Sequence, residues 1–155
     1  MTDERDERMM RAALEQAERA AERGEIPVGA VLTDGAGTIL AAAYNRREET
    51  NNPLSHAETE VLRAAAENRK TRFFEDCTLY VTLEPCPMCA GAIIAARVGR
   101  VIYGAKDPRA GALGSLLNLC DYPLEAKPQV SGGVLAAECL APLRAFFATK
   151  RKKPT

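Results

Sequence analysis

The chain of 155 residues is long enough to bury a core as one domain, and its 46% of apolar residues is ordinary for a globular protein. Its 21 basic and 21 acidic side chains leave no net charge, which gives no support to a nucleic-acid partner. No apolar run approaches the roughly 18 residues of a transmembrane helix, and the charged first residues lack a signal-peptide core, so we expect a cytoplasmic protein with no membrane partner.

Predicted helices and strands alternate from the start of the chain. An Ala-rich helix is expected from about Glu7 to Arg23, with Gly24 ending it. Two strands follow, over Val28–Leu32 and over Thr38–Tyr44, and the turn residues DGAG at 34–37 indicate a hairpin between them.

The second half of the chain continues this alternation. Ser55 is a good N-cap for a helix that runs to about Asn68, and Pro87 suits the first position of a helix through Arg97. The order of elements predicts an α/β sandwich around a central sheet, as one domain over residues 1–155 with a short basic tail at about 150–155. The other expected elements are strands over Thr78–Thr82, Arg100–Gly104 and Gln129–Val134, a looser segment over Lys106–Leu119 and a terminal helix over Ala136–Lys150.

The cysteines do not form the pattern of a disulfide framework, because there are five of them in a chain without a secretory signal. Cys77, Cys120 and Cys139 lie among apolar neighbours, where we expect each to be a small buried side chain. Cys86 and Cys89 belong to a separate motif.

That motif joins the single histidine to a cysteine pair. His56 begins H-x-E, and P-C-x-x-C follows with its first cysteine thirty residues later, at Cys86, and its second at Cys89. One imidazole and two thiols make three zinc ligands, and a catalytic zinc site keeps its fourth position open for water, whereas a structural site fills it. The pairing of the two halves predicts a catalytic zinc site and is typical of zinc-dependent nucleobase deaminases.

Helix geometry supports this ligand set. Cys86 and Cys89 would be the N-cap and third residue of one helix, on the same face, and His56 would lie in the first turn of another. The positive end of the helix that carries both cysteines lowers thiol pKa values, and a bound metal favours the thiolates further.

Glu58 is the candidate proton shuttle. It could take a proton from the attacking water and deliver it to a ring nitrogen and then to departing ammonia, as hydrolytic deamination requires. Three alternatives stay open: a capping box with Ser55, a fourth ligand of a closed structural site, and a redox or inert role for the cysteine pair. The fourth-ligand alternative is disfavoured, since a helical residue two positions from His56 points about 200° away from it.

Further stretches resemble the bacterial tRNA-specific adenosine deaminases, within the cytidine deaminase-like superfamily, which are themselves a standard example of the H-x-E and P-C-x-x-C pattern. The resemblance spans nearly the whole chain. It is carried by 26–31 (IPVGAV), 79–86 (LYVTLEPC), 104–107 (GAKD), 111–116 (GALGSL), 133–135 (GVL), 138–139 (EC) and 146–147 (FF). It implies a three-layer α/β/α sandwich with a central mixed five-stranded sheet, one zinc ion per subunit, a homodimer, and conversion of the wobble adenosine of a tRNA anticodon stem-loop to inosine.

The same resemblance implies substrate contacts. Asn45 would touch the flipped nucleotide, Ala57 would offer its backbone N–H to the base, Ile26 would form an apolar wall, and Asp107 would approach the neighbouring nucleotide. Phe146 or Phe147, with Lys150 to Lys153, would help to hold the RNA. Each has an alternative: Asn45 and Asp107 suit turns, the phenylalanines suit a core, and the basic end suits a solvated tail.

Two other functions share the metal motif. One is a deaminase of a free nucleobase or nucleoside, of the guanine or cytosine type. The other is a non-catalytic zinc-binding interaction module, which would fill the fourth coordination position and would not need Glu58.

Overall fold

A mixed five-stranded sheet forms the centre of the molecule, with strands in the order β2-β1-β3-β4-β5. In this computed structural model the backbone is described for residues 3–152 and the side chains for residues 3–150. β1 is antiparallel to β2 and to β3, whereas β3, β4 and β5 are mutually parallel. The strands are β1 (Gly29–Thr33), β2 (Ile39–Tyr44), β3 (Thr78–Leu83), β4 (Arg100–Ala105) and β5 (Gln129–Gly132).

Helices cover both faces of this sheet. The helices α1 and α5 pack on one face, whereas α3 and α4 pack against each other on the opposite face. The helices are α1 (Glu4–Glu22), α2 (Arg47–Thr50), α3 (Ala57–Arg69), α4 (Pro87–Ala95) and α5 (Ala136–Lys152), and a 3-10 turn lies at Leu119–Asp121. The predicted α/β/α sandwich with a mixed sheet is confirmed.

The core is built by alternation along the central strands. Leu79 and Val81 of β3 join the apolar cluster under α3 and α4, while Tyr80 between them joins the cluster under α1 and α5. Successive residues of a strand face opposite sides, so a strand covered on both faces is apolar throughout. Burial on both faces holds β3 in place, and the end of this strand leads directly into the cysteine motif.

A close approach between α1 and β1 sets the position of the first helix. A Cβ on Gly29 would collide with the Ala13 carbonyl oxygen and would lie 2.5 Å from the Ala17 nitrogen, so only glycine fits there. The helix starts at Glu4, earlier than the predicted Glu7, because the Asp3 carboxylate accepts a hydrogen bond from the Asp6 N–H and caps it.

The predicted N-cap of α3 is wrong by one residue. His56, not Ser55, is the N-cap, and it makes no side-chain capping bond. Ser55 is engaged elsewhere: its hydroxyl accepts a hydrogen bond from the Thr50 hydroxyl at 2.9 Å, and its N–H donates to the Asn52 carbonyl. The capping box with Glu58 is therefore absent.

The other boundaries that differ from the prediction do so by one or two residues. α4 ends at Ala95 rather than Arg97, because Arg97 has a φ of 55°, and β5 ends before Gly133, which has a φ of 94°. The short α2 was not predicted. Cys77 and Cys139 are buried as expected, but Cys120 is only half-buried. Within residues 3–152, no helix is both long and apolar enough to cross a bilayer.

Candidate active site

Three potential metal ligands meet where two helices begin. Cys86 is the N-cap of α4, Cys89 is in its first turn, and His56 is the N-cap of α3. The Nδ1 atom of His56 lies 3.7 Å from the Cys86 sulfur and 3.5 Å from the Cys89 sulfur. Zinc–sulfur and zinc–nitrogen bonds of about 2.3 and 2.0 Å place tetrahedral ligand atoms roughly 3.6 Å apart, so this donor set fits a zinc ion.

Hydrogen bonding lowers the pKa of one of the two thiols. Cys86 is partly buried, yet hydrogen bonds from the Cys89 thiol, the His56 ring and the Cys89 backbone N–H lower the pKa of the Cys86 thiol to about 4. The hydrogen bond to the Cys86 sulfur, together with the burial of Cys89, raises the pKa of the Cys89 thiol. A metal that binds both sulfurs therefore displaces a proton from Cys89.

Glu58 lies beside these ligands but outside their cluster. Among residues 3–150, the group close enough to share an ion consists of His56, Cys86 and Cys89, without the Glu58 carboxylate. Glu58 is 4% exposed. Burial raises its pKa to about 7, against the opposing effects of its own backbone N–H and of His56. A carboxyl group of that pKa can both accept and donate a proton near neutrality.

A cavity of about 290 Å³ opens over this cluster. Four of the five residues expected to bind the substrate line it, and Phe147 does not. Both apolar and polar side chains line it. The lining residues are Ile26, Val28, Asn45, Arg47, His56, Ala57, Glu58, Leu83, Glu84, Cys86, Asp107 and Ala110.

Asn45 follows β2 and is buried at the cavity wall. Its amide nitrogen donates to the Ile26 carbonyl at 3.2 Å, and its oxygen accepts from the Arg47 N–H at 3.3 Å. Asn45 thus makes the local hydrogen bonds that are expected of a turn residue. Each end of the amide still has one hydrogen-bonding position left for a ligand.

Ala57 and Asp107 face the same space from two directions. Ala57 is the first residue of α3, and within the described part of the chain no acceptor bonds to its N–H. The Asp107 carboxylate accepts from the N–H groups of Arg109 and Ala110 at 3.0 and 3.2 Å, which is turn chemistry. Both residues nevertheless line the cavity.

Phe147 lies on α5, away from the cavity lining, and is 43% exposed. Its ring meets that of Phe146 edge-on at 5.5 Å, and the Lys150 ammonium lies 5.2 Å from the Phe146 ring. The phenylalanine pair is therefore neither deep in the core nor near the metal ligands. The side chains of the predicted basic tail beyond Lys150 lie outside the described residues.

Two polar residues of the cavity were not predicted from the sequence. Arg47 begins the unpredicted helix α2, and Glu84 follows β3 directly before the cysteine motif. Glu84 is 2% exposed. Burial alone would raise the pKa of its carboxyl, but hydrogen bonds from Ser115, Asp107 and Leu113 outweigh burial and lower it. Its position between a strand and Pro85 was the available signal.

Known proteins resemble the chain over most of its length. Residues 3–105 match the zinc-binding region of cytidine and deoxycytidylate deaminases. The tRNA-specific adenosine deaminase of Bacillus subtilis (strain 168) is 46% identical over 96% of this chain and 92% of that protein. The enzyme of the same name from Haemophilus influenzae is 46% identical over 96% and 86%. A solved structure from a study of A-to-I editing by tRNA A34 deaminases superposes with a TM-score of 0.85 and 41% identity, covering 88% of this chain and 99% of that one.

Proposed function

The chain belongs to the tRNA-specific adenosine deaminases, within the zinc-binding cytidine and deoxycytidylate deaminases, and on that premise we propose that it converts the wobble adenosine of a tRNA anticodon to inosine. The reaction is a zinc-dependent hydrolysis that consumes water and releases ammonia. The observation that carries this proposal is the meeting of three metal ligands with a buried carboxyl in one nucleobase-sized cavity.

His56, Cys86 and Cys89 hold the zinc ion, one per subunit. The 3.5 and 3.7 Å separations of the His56 nitrogen from the two sulfurs support this assignment. When bound, zinc makes water a stronger acid and so supplies a nucleophile at neutral pH.

Glu58 moves the protons. Its carboxylate takes a proton from the attacking water and passes it to the ring nitrogen beside the reacting carbon. A bond then forms from the water oxygen to that carbon, Glu58 takes the second proton from this oxygen and delivers it to the exocyclic amino group, and the bond to that nitrogen breaks to release ammonia. Deep burial of Glu58, beside the ligands but not among them, supports both the acid and the base role.

The cavity walls orient the base. Ile26 packs against one face of the flipped adenine, and the Ala57 N–H and the Asn45 amide bond to polar atoms of the nucleoside. Asp107 approaches the neighbouring nucleotide. An unstacked loop base can enter a pocket of this kind without breaking a helix, which suits an anticodon loop.

The RNA extends beyond the cavity. We assign Phe147, on exposed α5, and the basic residues that follow it to contacts with the stem-loop, where neutralised phosphates make binding salt-dependent. Five free cysteines and a tRNA substrate support a cytoplasmic location.

The active form is a homodimer. Four of the seven large apolar side chains that are exposed among the described residues lie between residues 116 and 124, which suits an interface with a second copy of the chain. They are Leu116, Leu117, Tyr122 and Leu124.

A substrate comparison tests the function. Zinc-loaded protein is incubated separately with an anticodon stem-loop carrying adenosine at the wobble position, with free guanine and with free cytosine, and inosine and ammonia are measured. We expect inosine and ammonia from the stem-loop alone, with affinity that falls as salt rises. Ammonia from a free base but not from the stem-loop would instead identify a free-base deaminase. No ammonia from any substrate would favour a non-catalytic zinc module.

A further inference from the structure

A buried carboxylate outside the proposed chemistry joins the metal site to the loop at 107–115. Glu84 lies between the end of β3 and the cysteine motif, and its own N–H donates to the Ala105 carbonyl at the end of β4 at 2.9 Å. Next to it, the Pro85 carbonyl accepts from the Ala112 N–H at 2.8 Å. The backbone thus anchors the loop at Ala112 and the strand that leads into the loop at Ala105.

The Glu84 side chain supplies the rest of the attachment. One carboxylate oxygen accepts from the Asp107 N–H at 3.1 Å and from the Ser115 hydroxyl. The other accepts from the N–H groups of Leu113 and Ser115 at 3.1 and 3.0 Å. Both ends and the middle of the 107–115 loop therefore converge on one carboxylate.

These four bonds use the whole acceptor capacity of Glu84. A carboxylate has about four lone-pair positions, and all four are filled by the loop. Glu84 is also 2% exposed, so it has neither the surface nor a lone pair to offer a substrate. Its side chain serves the loop that carries Asp107 and Ala110 into the cavity wall.

The loop is fitted to this carboxylate. A Cβ on Gly111 would lie 2.5 Å from a Glu84 carboxylate oxygen and 2.5 Å from the Asp107 carbonyl oxygen. The absence of a side chain at Gly111 lets the loop close over Glu84. The Asp107 carboxylate in turn accepts hydrogen bonds from the Arg109 and Ala110 N–H groups. Displacement of the Glu84 carboxylate would therefore disturb the whole turn.

We infer that Glu84 is a positioning residue that holds the 107–115 loop against the metal-ligand segment and thereby sets how tightly the enzyme binds the nucleotides beside the target base. This inference rests on the proposed function. Binding of the RNA depends on the loop, whereas the three ligands and Glu58 are held by helices α3 and α4. Loss of Glu84 is therefore expected to affect KM more than kcat.

The test compares Glu84→Gln with Asp6→Asn in zinc-loaded protein, using an anticodon stem-loop as substrate. Asp6 is a matched control, because it is equally buried and hydrogen-bonded by Tyr80 and Arg100 on the other face of the sheet. We expect Glu84→Gln to raise KM about tenfold and to change kcat by less than about threefold, since a misplaced binding group weakens association. Asp6→Asn should leave KM unchanged. An unchanged KM in Glu84→Gln, or an equal rise in both variants, would overturn the inference.

A milder variant, Ser115→Ala, tests the inference even if Glu84→Gln does not fold. Ser115→Ala removes one of the four donors and keeps the three backbone bonds, so KM should rise about two- to fivefold in a fully folded protein. If Ser115→Ala has the KM of the unaltered enzyme, the inference is overturned even where Glu84→Gln does not fold.

A second readout separates this inference from the proposed function. Amide hydrogen exchange in residues 107–115 requires no substrate and should be faster in Glu84→Gln than in Asp6→Asn. Faster exchange without any inosine in the unaltered protein would refute the proposed function and keep the positioning role. Equal exchange in both variants would refute the positioning role.

Discussion

At the residue scale, the proposed metal site follows from where three donor atoms lie in their helices. Cys86 and Cys89 are the N-cap and first-turn residues of α4, and His56 is the N-cap of α3. Hydrogen bonds from the Cys89 thiol, the His56 ring and the Cys89 backbone N–H in the first turn of α4 outweigh burial and lower the pKa of the Cys86 thiol to about 4, which favours a thiolate.

Removal of a ligand is therefore expected to remove the metal. Cys86→Ser or His56→Ala leaves two donors, and we expect zinc content to fall from about one ion per chain to below about a tenth, since two ligands do not hold zinc against dilution. Elemental analysis after gel filtration measures it. Cys120→Ser is the matched control, because that half-buried thiol is outside the cluster, and it should keep its zinc. Full zinc in Cys86→Ser would refute the ligand set.

At the element scale, a single glycine sets how closely α1 packs on the sheet. Gly29→Ala would push a methyl group into the Ala13 carbonyl and the Ala17 nitrogen, which are backbone atoms and cannot rotate away. We expect a loss of about 3 kcal/mol or more in the free energy of unfolding. Gly91→Ala is the control, because a Cβ on Gly91 in α4 meets nothing within 4 Å, and it should gain about 0.5–1 kcal/mol in helix propensity. Urea titration of both variants gives the two values, and equal stabilities would contradict this account of the packing.

Most helices and strands could be predicted from the sequence, and the features that could not be predicted have physical causes. Apolar periodicity and turn residues identified every strand, and Pro87 marked the start of α4 correctly. The prediction of Ser55 as the N-cap of α3 was wrong because its hydroxyl bonds to Thr50, a contact that depends on the unpredicted α2. Glu84 could not be recognised, because its four donors come from residues 23 to 31 positions later, which only the folded chain brings near.

At the scale of the whole molecule, four exposed apolar side chains come soon after the loop that Glu84 holds, and we propose that they form one apolar patch: Leu116, Leu117, Tyr122 and Leu124. A stable dimer would bury this patch and link the loop to a second subunit. We propose that residues 1–155 fold as one domain around the two core clusters of the sheet and that two such domains associate through this patch.

Sedimentation velocity tests the association. The unaltered protein should sediment as a dimer, and Leu116→Glu should sediment as a monomer, because a buried unpaired charge costs several kcal/mol. Ile39→Glu is the control, since Ile39 is also exposed but lies on the edge strand β2, and it should leave the dimer intact. A monomeric unaltered protein would contradict the proposed interface.

The most direct test of the central claim is a paired measurement of zinc content and inosine formation in Glu58→Ala. Glu60→Ala is its control, because Glu60 lies two residues further along α3, pairs with the exposed Arg63 and does not line the cavity. We expect full zinc in both variants, unchanged inosine formation in Glu60→Ala, and at least about a hundredfold loss in Glu58→Ala, because a general acid–base is removed. Full activity in zinc-loaded Glu58→Ala would refute the role of Glu58 as the proton shuttle.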